Sequence, residues 1–235
     1  MRQRIMIAMA MSSEPTVLVA DEATTALDVT TQAQLLEMLR DIAKKTNTAL
    51  VIVTHNLGIV ARFAERIYVM YSGSVVEMTD TKRLFANPEH PYTRALLRAI
   101  PRLDDPKDRV LIPIEGLPPN PASRPSYCPF YDRCEYHMDK CRECSKPQLA
   151  ELEKAAKARE IASKETKKAP KIIAKDELCL DVKNVKKYFP IYSGLMRKKT
   201  GEVKAIEDIC FYARKGETLG IVGESGCGKT TLARC

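Results

Sequence analysis

In the stretch Thr16-Val17-Leu18-Val19-Ala20-Asp21-Glu22-Ala23-Thr24-Thr25-Ala26-Leu27-Asp28, four apolar residues run straight into two adjacent carboxylates. An apolar run of that length without alternation predicts a strand buried on both faces, as in a parallel sheet under helices. The carboxyl end of such a strand is where an α/β sheet receives its ligands. Asp21 and Glu22 there suit phosphoryl chemistry. One carboxylate can hold Mg²⁺ through water while its neighbour orients or deprotonates an attacking water. Taken alone, the pair also fits a strand end meeting solvent. A second apolar run, Ala49–Val53, ends in Thr54-His55-Asn56, where a single histidine would ordinarily be a cap or a core side chain. Between the two runs, Leu35, Leu36, Leu39 and Ile42 recur at helical spacing and predict an amphipathic helix over one face of the sheet. A further helix is expected over residues 57–64. Residues 66–77 (RIYVMYSGSVVE) then read as a hairpin about Ser72-Gly73, with Gly73 supplying the positive φ of a tight turn.

Together, DEATTALD (21–28) and VTHN (53–56) resemble the Walker B, D-loop and switch-histidine segments of the ATP-binding cassette ATPases. The resemblance implies that Asp21 serves the Mg²⁺ shell, that Glu22 is the general base and that His55 contacts the γ-phosphate. It also bears on the opening residues. Residues 1–11 carry apolar side chains on most faces and predict a buried helix ending at Ser12-Ser13-Glu14-Pro15. MRQR is similar to the run that follows the LSGG signature in oligopeptide and dipeptide permease ATPases, so the chain is expected to start inside that motif.

The far end carries a second phosphate signal. Residues 216–231 contain a complete G-x4-G-K-T loop, with an apolar strand before it and a helix start after it. Its glycines let successive backbone N–H groups face phosphates, Lys229 reaches the β and γ oxygens, and Thr230 can hold Mg²⁺. Gly223, Glu224, Ser225, Gly226, Cys227, Gly228, Lys229, Thr230 and Thr231 are the candidate ATP contacts. Phe189, in NVKKYFP, matches the aromatic residue that stacks on adenine in the same family, although an edge-strand aromatic would look no different. Residues 178–182 and 203–212 alternate, as in an antiparallel sheet, and the insert SGLMRKKTGEVKAIEDI resembles the second ATPase of peptide permeases.

With 235 residues and 45% hydrophobic content, the chain can fill one large or two small cores, which excludes a disordered class. No apolar run approaches a bilayer span, and the N-terminus lacks a convincing cleavage site, so a soluble, cytoplasmic protein is expected. The net charge of +8 would suggest an acidic partner. Half of that excess falls in residues 151–175, which hold eight Lys or Arg against four Glu with no interleaved aromatics. That is the composition of a solvated connector rather than a nucleic-acid surface.

Ten of the fourteen prolines lie between Pro88 and Pro129, so this segment should be mostly irregular. NPEHPYTRALL (87–97) and IEGLPPNP (114–121) resemble the C-terminal extension of peptide-importer ATPases, and His90 is expected to pack under Tyr92 as a structural residue. Four of the eight cysteines follow: Cys128, Cys134, Cys141 and Cys144. In a cytoplasmic chain the spacing C-x5-C-x6-C-x2-C favours thiolate ligation of Zn²⁺ or an iron–sulfur cluster over disulfides, and reduced free thiols are the alternative. The resemblance implies a 4Fe-4S cluster on Cys128, Cys134 and Cys141, with Cys144 standing in for a fourth ligand that the family usually places further on.

The expected fold is thus α/β: an incomplete P-loop NTPase sheet with helices, a Pro/Cys-rich irregular extension, and a partial antiparallel β plus P-loop segment. Residues 1–80 read as the C-terminal half of a first ATPase and 81–148 as its extension. Residues 149–176 read as a linker and 177–235 as the N-terminal part of a second ATPase. The resemblance implies the energy-coupling component of a peptide importer at the cytoplasmic membrane face. Its expected partners are two transmembrane permease subunits, an extracytoplasmic peptide-binding protein and a second cassette ATPase, with no nucleic acid. Two other classes remain: a soluble tandem cassette ATPase acting on ribosomes, and an inactive fragment retaining metal or nucleotide binding. The last strand, residues 218–222, could also dock beside Ala49–Val53 and close a permuted domain, for which binding without turnover is expected.

Overall fold

The structure is a computed structural model that describes residues 2–23, 28–101, 105–106, 110–143, 177–193 and 198–235. Its centre is a five-stranded sheet in the order β1-β2-β7-β3-β4, formed by β1 (Val17–Asp21), β2 (Ala49–Val53), β3 (Arg66–Tyr71), β4 (Ser74–Asp80) and β7 (Thr218–Val222). The first four strands in that order run parallel, and β4 returns antiparallel from the Ser72-Gly73 turn, where both residues have positive φ (43° and 74°). Residues from 177–235 therefore lie inside the sheet built by residues 1–80, since β7 is hydrogen-bonded to β2 on one side and to β3 on the other.

All five residues of β2 and all five of β7 are buried, because both faces of the sheet are covered. Leu50 and Ile52 face the helices α2 (Val29–Thr46) and α3 (Leu57–Phe63), packing with Leu35, Leu36, Leu39, Ala43, Ile59 and Phe63. Ala49, Val51 and Val53 face the other way, onto Ile206, Ile209, Phe211 and Ala213. Those four belong to β6 (Lys198–Arg214), which pairs antiparallel with β5 (Leu178–Ser193) as a separate two-stranded sheet. Two-sided cover is what makes an unalternating apolar run a stable strand.

The cap residues fix α2 in place. The Asp28 side chain accepts from the Thr31 N–H at 2.9 Å, and Asn47 takes a left-handed conformation at the other end, with Lys44 and Lys45 in the last turn complementing the helix dipole.

Two expectations about burial fail. β1 sits at the sheet edge, paired among the described residues with β2 only, and Val19 is 42% exposed. Helix α1 (Arg2–Met11) leaves Ile5, Met6 and Met9 more than half exposed, although Ile7 does pack against the α2 core. Apolar content states what a segment gains from cover, and a covering partner must still be supplied. No helix among the described residues is long and apolar enough to cross a membrane.

Residues 81–143 wrap around the hairpin side of the sheet. They include α4 (Thr81–Ala86), α5 (Pro91–Arg98), a 3-10 turn (Tyr131–Arg133) and α6 (Lys140–Glu143), and the remainder of their described length is irregular, as the prolines dictate. The buried Glu77 carboxylate of β4 anchors the wrap by accepting from the N–H groups of Glu89 and His90 at 2.9 and 3.0 Å. Phe130 stacks edge-on against Tyr71 and Tyr92, with ring centroids 5.2 and 5.4 Å away. The 149–176 connector lies outside the described residues.

One buried ion pair ties the two ends of the chain together. Arg66 on β3 donates to both Glu217 oxygens at 2.9 Å, donates to the Tyr212 carbonyl, and lies over the Tyr212 ring at 3.7 Å. Desolvation works against the charged guanidinium here, and the Glu217 hydrogen bonds together with the electrostatic attraction of Tyr68, Glu217 and Tyr212 outweigh it, so the Arg66 pKa is raised. A bidentate, stacked geometry of this kind suits arginine and not lysine.

Candidate functional site

The parallel register brings three strand ends to one edge of the sheet. Asp21 of β1 is level with Val53 of β2, and Val53 is level with Ile221 of β7. Backbone bonds from the Glu22 N–H to the Val53 carbonyl (2.9 Å) and from the Thr54 N–H to the Ile221 carbonyl (3.1 Å) continue the alignment past the strands. Glu22 takes φ 45°, an uncommon conformation for a residue with a side chain. Its carboxylate lies 3.3 Å from Nδ1 of His55, and both side chains are open to solvent.

Residues 223–228 leave β7 as a loop that feeds directly into α7 (Lys229–Ala233). The first backbone N–H groups of a helix have no partner within it and form a natural anion site. Gly223 cannot be replaced without moving backbone, because a Cβ there would lie 2.2 Å from the Met70 carbonyl oxygen. Lys229 is buried, and its ammonium is held by the carbonyls of Gly223 and Glu224, each at 2.9 Å, with Cys227 Sγ at 3.8 Å. Thr230 Oγ1 donates to Asp21 Oδ1 at 3.1 Å, across 209 positions of sequence. Asp21 and Thr230 are thus adjacent, and a carboxylate beside a hydroxyl at the mouth of such a loop is a donor set suited to Mg²⁺. Arg234 Nε lies 3.7 Å from the other Asp21 oxygen.

The remaining sequence candidates divide. Glu224, Ser225, Gly226, Cys227, Gly228 and Thr231 occupy the loop and the start of α7. Phe189 lies on β5, 46% exposed, with Lys187 Nζ 5.8 Å from its ring centre. Thr24 to Leu27 lie outside the described residues, and so does Cys144. His90 is buried; its Nδ1 accepts from the Tyr92 N–H and caps α5, and desolvation lowers its pKa to about 4.

Cys128, Cys134 and Cys141 lie on one fold-back, closed by a bond from the Cys128 N–H to the Cys141 carbonyl at 3.3 Å. Burial pushes the thiols of Cys128 and Cys134 up, and the neighbouring cysteines push the same way. Among the described residues no group of three or more His, Cys, Asp or Glu side chains is placed to hold a metal ion. Cys128, Cys134 and Cys141 are therefore not set out as a ligand group among the described residues, and Cys144, the fourth expected ligand, lies outside them.

The spacing of motifs gave no sign of two further residues that touch the loop. Tyr92 OH accepts from the Glu224 N–H at 2.9 Å, and Arg133 grips the Glu224 carboxylate through both terminal nitrogens, at 3.0 and 3.2 Å. Both were visible in the sequence only as parts of the HPYTRALL run and the cysteine stretch.

Comparison with known proteins finds two segments of the chain that match family models. Residues 76–141 match the family described as Oligopeptide/dipeptide transporter, C-terminal region, and residues 206–235 match the family described as ABC transporter. The oligopeptide transport ATP-binding protein OppD of Mycobacterium tuberculosis is 39% identical over 244 residues, covering 98% of this chain and 40% of that protein. The glutathione import ATP-binding protein GsiA of Escherichia coli K12 is 40% identical over 234 residues, covering 100% of this chain and 32% of that protein. The chain therefore spans between 32% and 40% of the length of these curated relatives.

Proposed function

Because the chain belongs to the oligopeptide/dipeptide type of ATP-binding cassette ATPases, we propose that it binds Mg·ATP and acts as the energy-coupling component of a peptide importer. The observation that carries this reading is the contact of Thr230 with Asp21, which joins the phosphate loop to the carboxylate strand end. When bound, Mg²⁺ would supply positive charge that offsets the charge of the phosphates. Asp21 and Thr230 would hold it. The N–H groups of Gly223 to Thr231 and the Lys229 ammonium take the phosphates, and Phe189 takes the adenine face. Glu22 orients the attacking water and receives its proton, and His55 holds the Glu22 carboxylate and meets the γ-phosphate.

Similarity that covers 98 to 100% of the chain and 32 to 40% of longer importer ATPases supports a tandem parent. In it, residues 1–80 belong to one ATPase and 81–148 to its extension, while 149–176 connect to the start of a second ATPase at 177–235. The partners that fit are two transmembrane permeases, an extracytoplasmic peptide-binding protein and a second cassette ATPase, with the ATPases seated on the cytoplasmic face of the membrane. Oligopeptides or a small peptide such as glutathione are the cargo class suggested by the relatives' names.

For these 235 residues the reading commits to nucleotide binding. Fluorescent ATP with Mg²⁺ should bind the wild type and not Lys229→Ala, since removing the cation leaves the phosphate charge uncompensated. Equal ATP binding by wild type and Lys229→Ala would overturn the reading of the loop.

A second reading concerns the thiols. The backbone closure between Cys128 and Cys141 supports a thiolate site completed by Cys134 and Cys144 that assembles on loading with a 4Fe-4S cluster or Zn²⁺. Anaerobic reconstitution followed by iron, sulfide and zinc analysis separates cluster from zinc, and a metal-free product after both treatments removes the site.

A further inference from the structure

The Arg133 side chain donates five hydrogen bonds, and nothing in the phosphate-binding reading requires it. It extends from the 3-10 turn at Tyr131–Arg133 into the body of the protein, with its side chain 6% exposed. Its Nε donates to the Glu115 carbonyl at 2.9 Å, and a terminal nitrogen donates to the Ile114 carbonyl at 3.2 Å, so the guanidinium draws two separate parts of the extension together. It also donates to Tyr71 OH at 3.1 Å, at the C-terminal end of β3. The two remaining bonds form a fork on both oxygens of Glu224.

Glu224 is the second residue of the phosphate loop, and the extension holds it twice. Its backbone N–H donates to Tyr92 OH, which is fully buried against Tyr71 and Phe130. Its carbonyl is one of the two that hold Lys229. A single residue thus carries the loop's contact with the lysine on its main chain and a negative charge on its side chain, beside a site built for the most negative part of a nucleotide. An unpaired carboxylate there would repel phosphate and would be free to draw the Lys229 ammonium away. A planar guanidinium matches both carboxylate oxygens and holds them in one orientation.

We propose that Arg133 is a positioning residue for nucleotide binding: through its fork on Glu224 it neutralises the carboxylate of the phosphate loop and turns it away from the phosphates. The wrapped extension thereby sets the affinity of a loop that lies 91 positions further along the chain. This rests on the reading of residues 223–231 as a Mg·ATP site, and the two can fail separately.

The test uses the full 235-residue chain and three variants, Arg133→Ala, Arg133→Lys and the double Arg133→Ala/Glu224→Gln, with fluorescent ATP and Mg²⁺ as the probe. Arg133→Ala should weaken binding on the order of tenfold, and more at low than at high salt, because the liberated carboxylate repels the triphosphate through solvent. Arg133→Lys, which keeps the charge and loses the fork, should fall between Arg133→Ala and the wild type. The double variant should recover most of the affinity, because the harmful charge is gone. A scaffolding role alone would give no recovery in the double variant, and that result overturns the proposal, as does wild-type affinity in Arg133→Ala.

Hydrogen exchange of the 223–227 amides in nucleotide-free protein supplies a readout independent of ATP. Release of the fork should speed their exchange severalfold in Arg133→Ala while the β2 amides stay protected. Unchanged exchange overturns the proposal even if no nucleotide binds. Failure of the wild type to bind, with the exchange difference intact, overturns the nucleotide reading and leaves the clamp standing.

Discussion

His90 shows how one residue type can serve two purposes in the same chain. His55 stands in solvent beside Glu22 with its ring available, whereas His90 is 7% exposed and spends its ring nitrogen on the Tyr92 N–H. Desolvation makes the charged imidazolium costly there and lowers its pKa from 6.5 to about 4. Below pH 6.5 the unfolded chain takes up the proton more readily than the folded one, so the stabilisation is complete above that pH and is lost as pH falls toward 4. The drop should amount to about 3 kcal/mol. Urea midpoints measured at pH 7 and pH 4.5 should separate accordingly in the wild type. In His90→Asn, which keeps a cap acceptor for the Tyr92 N–H without a titrating group, the separation should shrink by most of that amount; an undiminished separation would move the pH sensitivity elsewhere.

At the scale of elements, β7 explains why the site edge is ordered. Its seat between β2 and β3 is cut to its own sequence, because a Cβ on Gly220 would lie 1.9 Å from Val60 Cγ1 and 3.2 Å from the Ala64 Cβ. The absence of a side chain lets α3 approach the strand, and the N-cap of α3 is Asn56, directly after His55. The Asn56 side chain accepts from the Gly58 N–H at 2.9 Å and caps that helix. The position of His55 therefore follows from a helix start that packs on the strand leading to the phosphate loop.

At the scale of the molecule, three devices join segments that lie far apart in sequence: the β2-β7-β3 ladder, the Arg66–Glu217 pair and the Arg133–Glu224 fork. They make residues 1–143 and 177–235 cooperative wherever described, since removing β7 would strip β2 and β3 of a neighbour each and expose unpaired edges in the middle of the sheet. Urea unfolding followed by circular dichroism and by tyrosine fluorescence should give one coincident transition. Two separate transitions would show that the segments fold independently and that β7 docks only weakly.

Much of this was legible in the residues. The strand at Ala49–Val53, the amphipathic α2, the turn at Ser72-Gly73 and the loop 223–230 announce themselves by local rules, because periodicity, caps, positive φ and loop chemistry depend on neighbours in sequence. Proline density likewise foretold an irregular extension. Tertiary structure alone decided that β1 would be an edge with Val19 exposed, that α1 would leave Ile5, Met6 and Met9 in solvent, and that Cys128, Cys134 and Cys141 would not be set out as a ligand group among the described residues. It alone placed Arg133 on Glu224. Each of these depends on which distant surface arrives to cover or pair a group, and an apolar or charged side chain specifies the benefit of a partner without specifying where in the chain that partner lies.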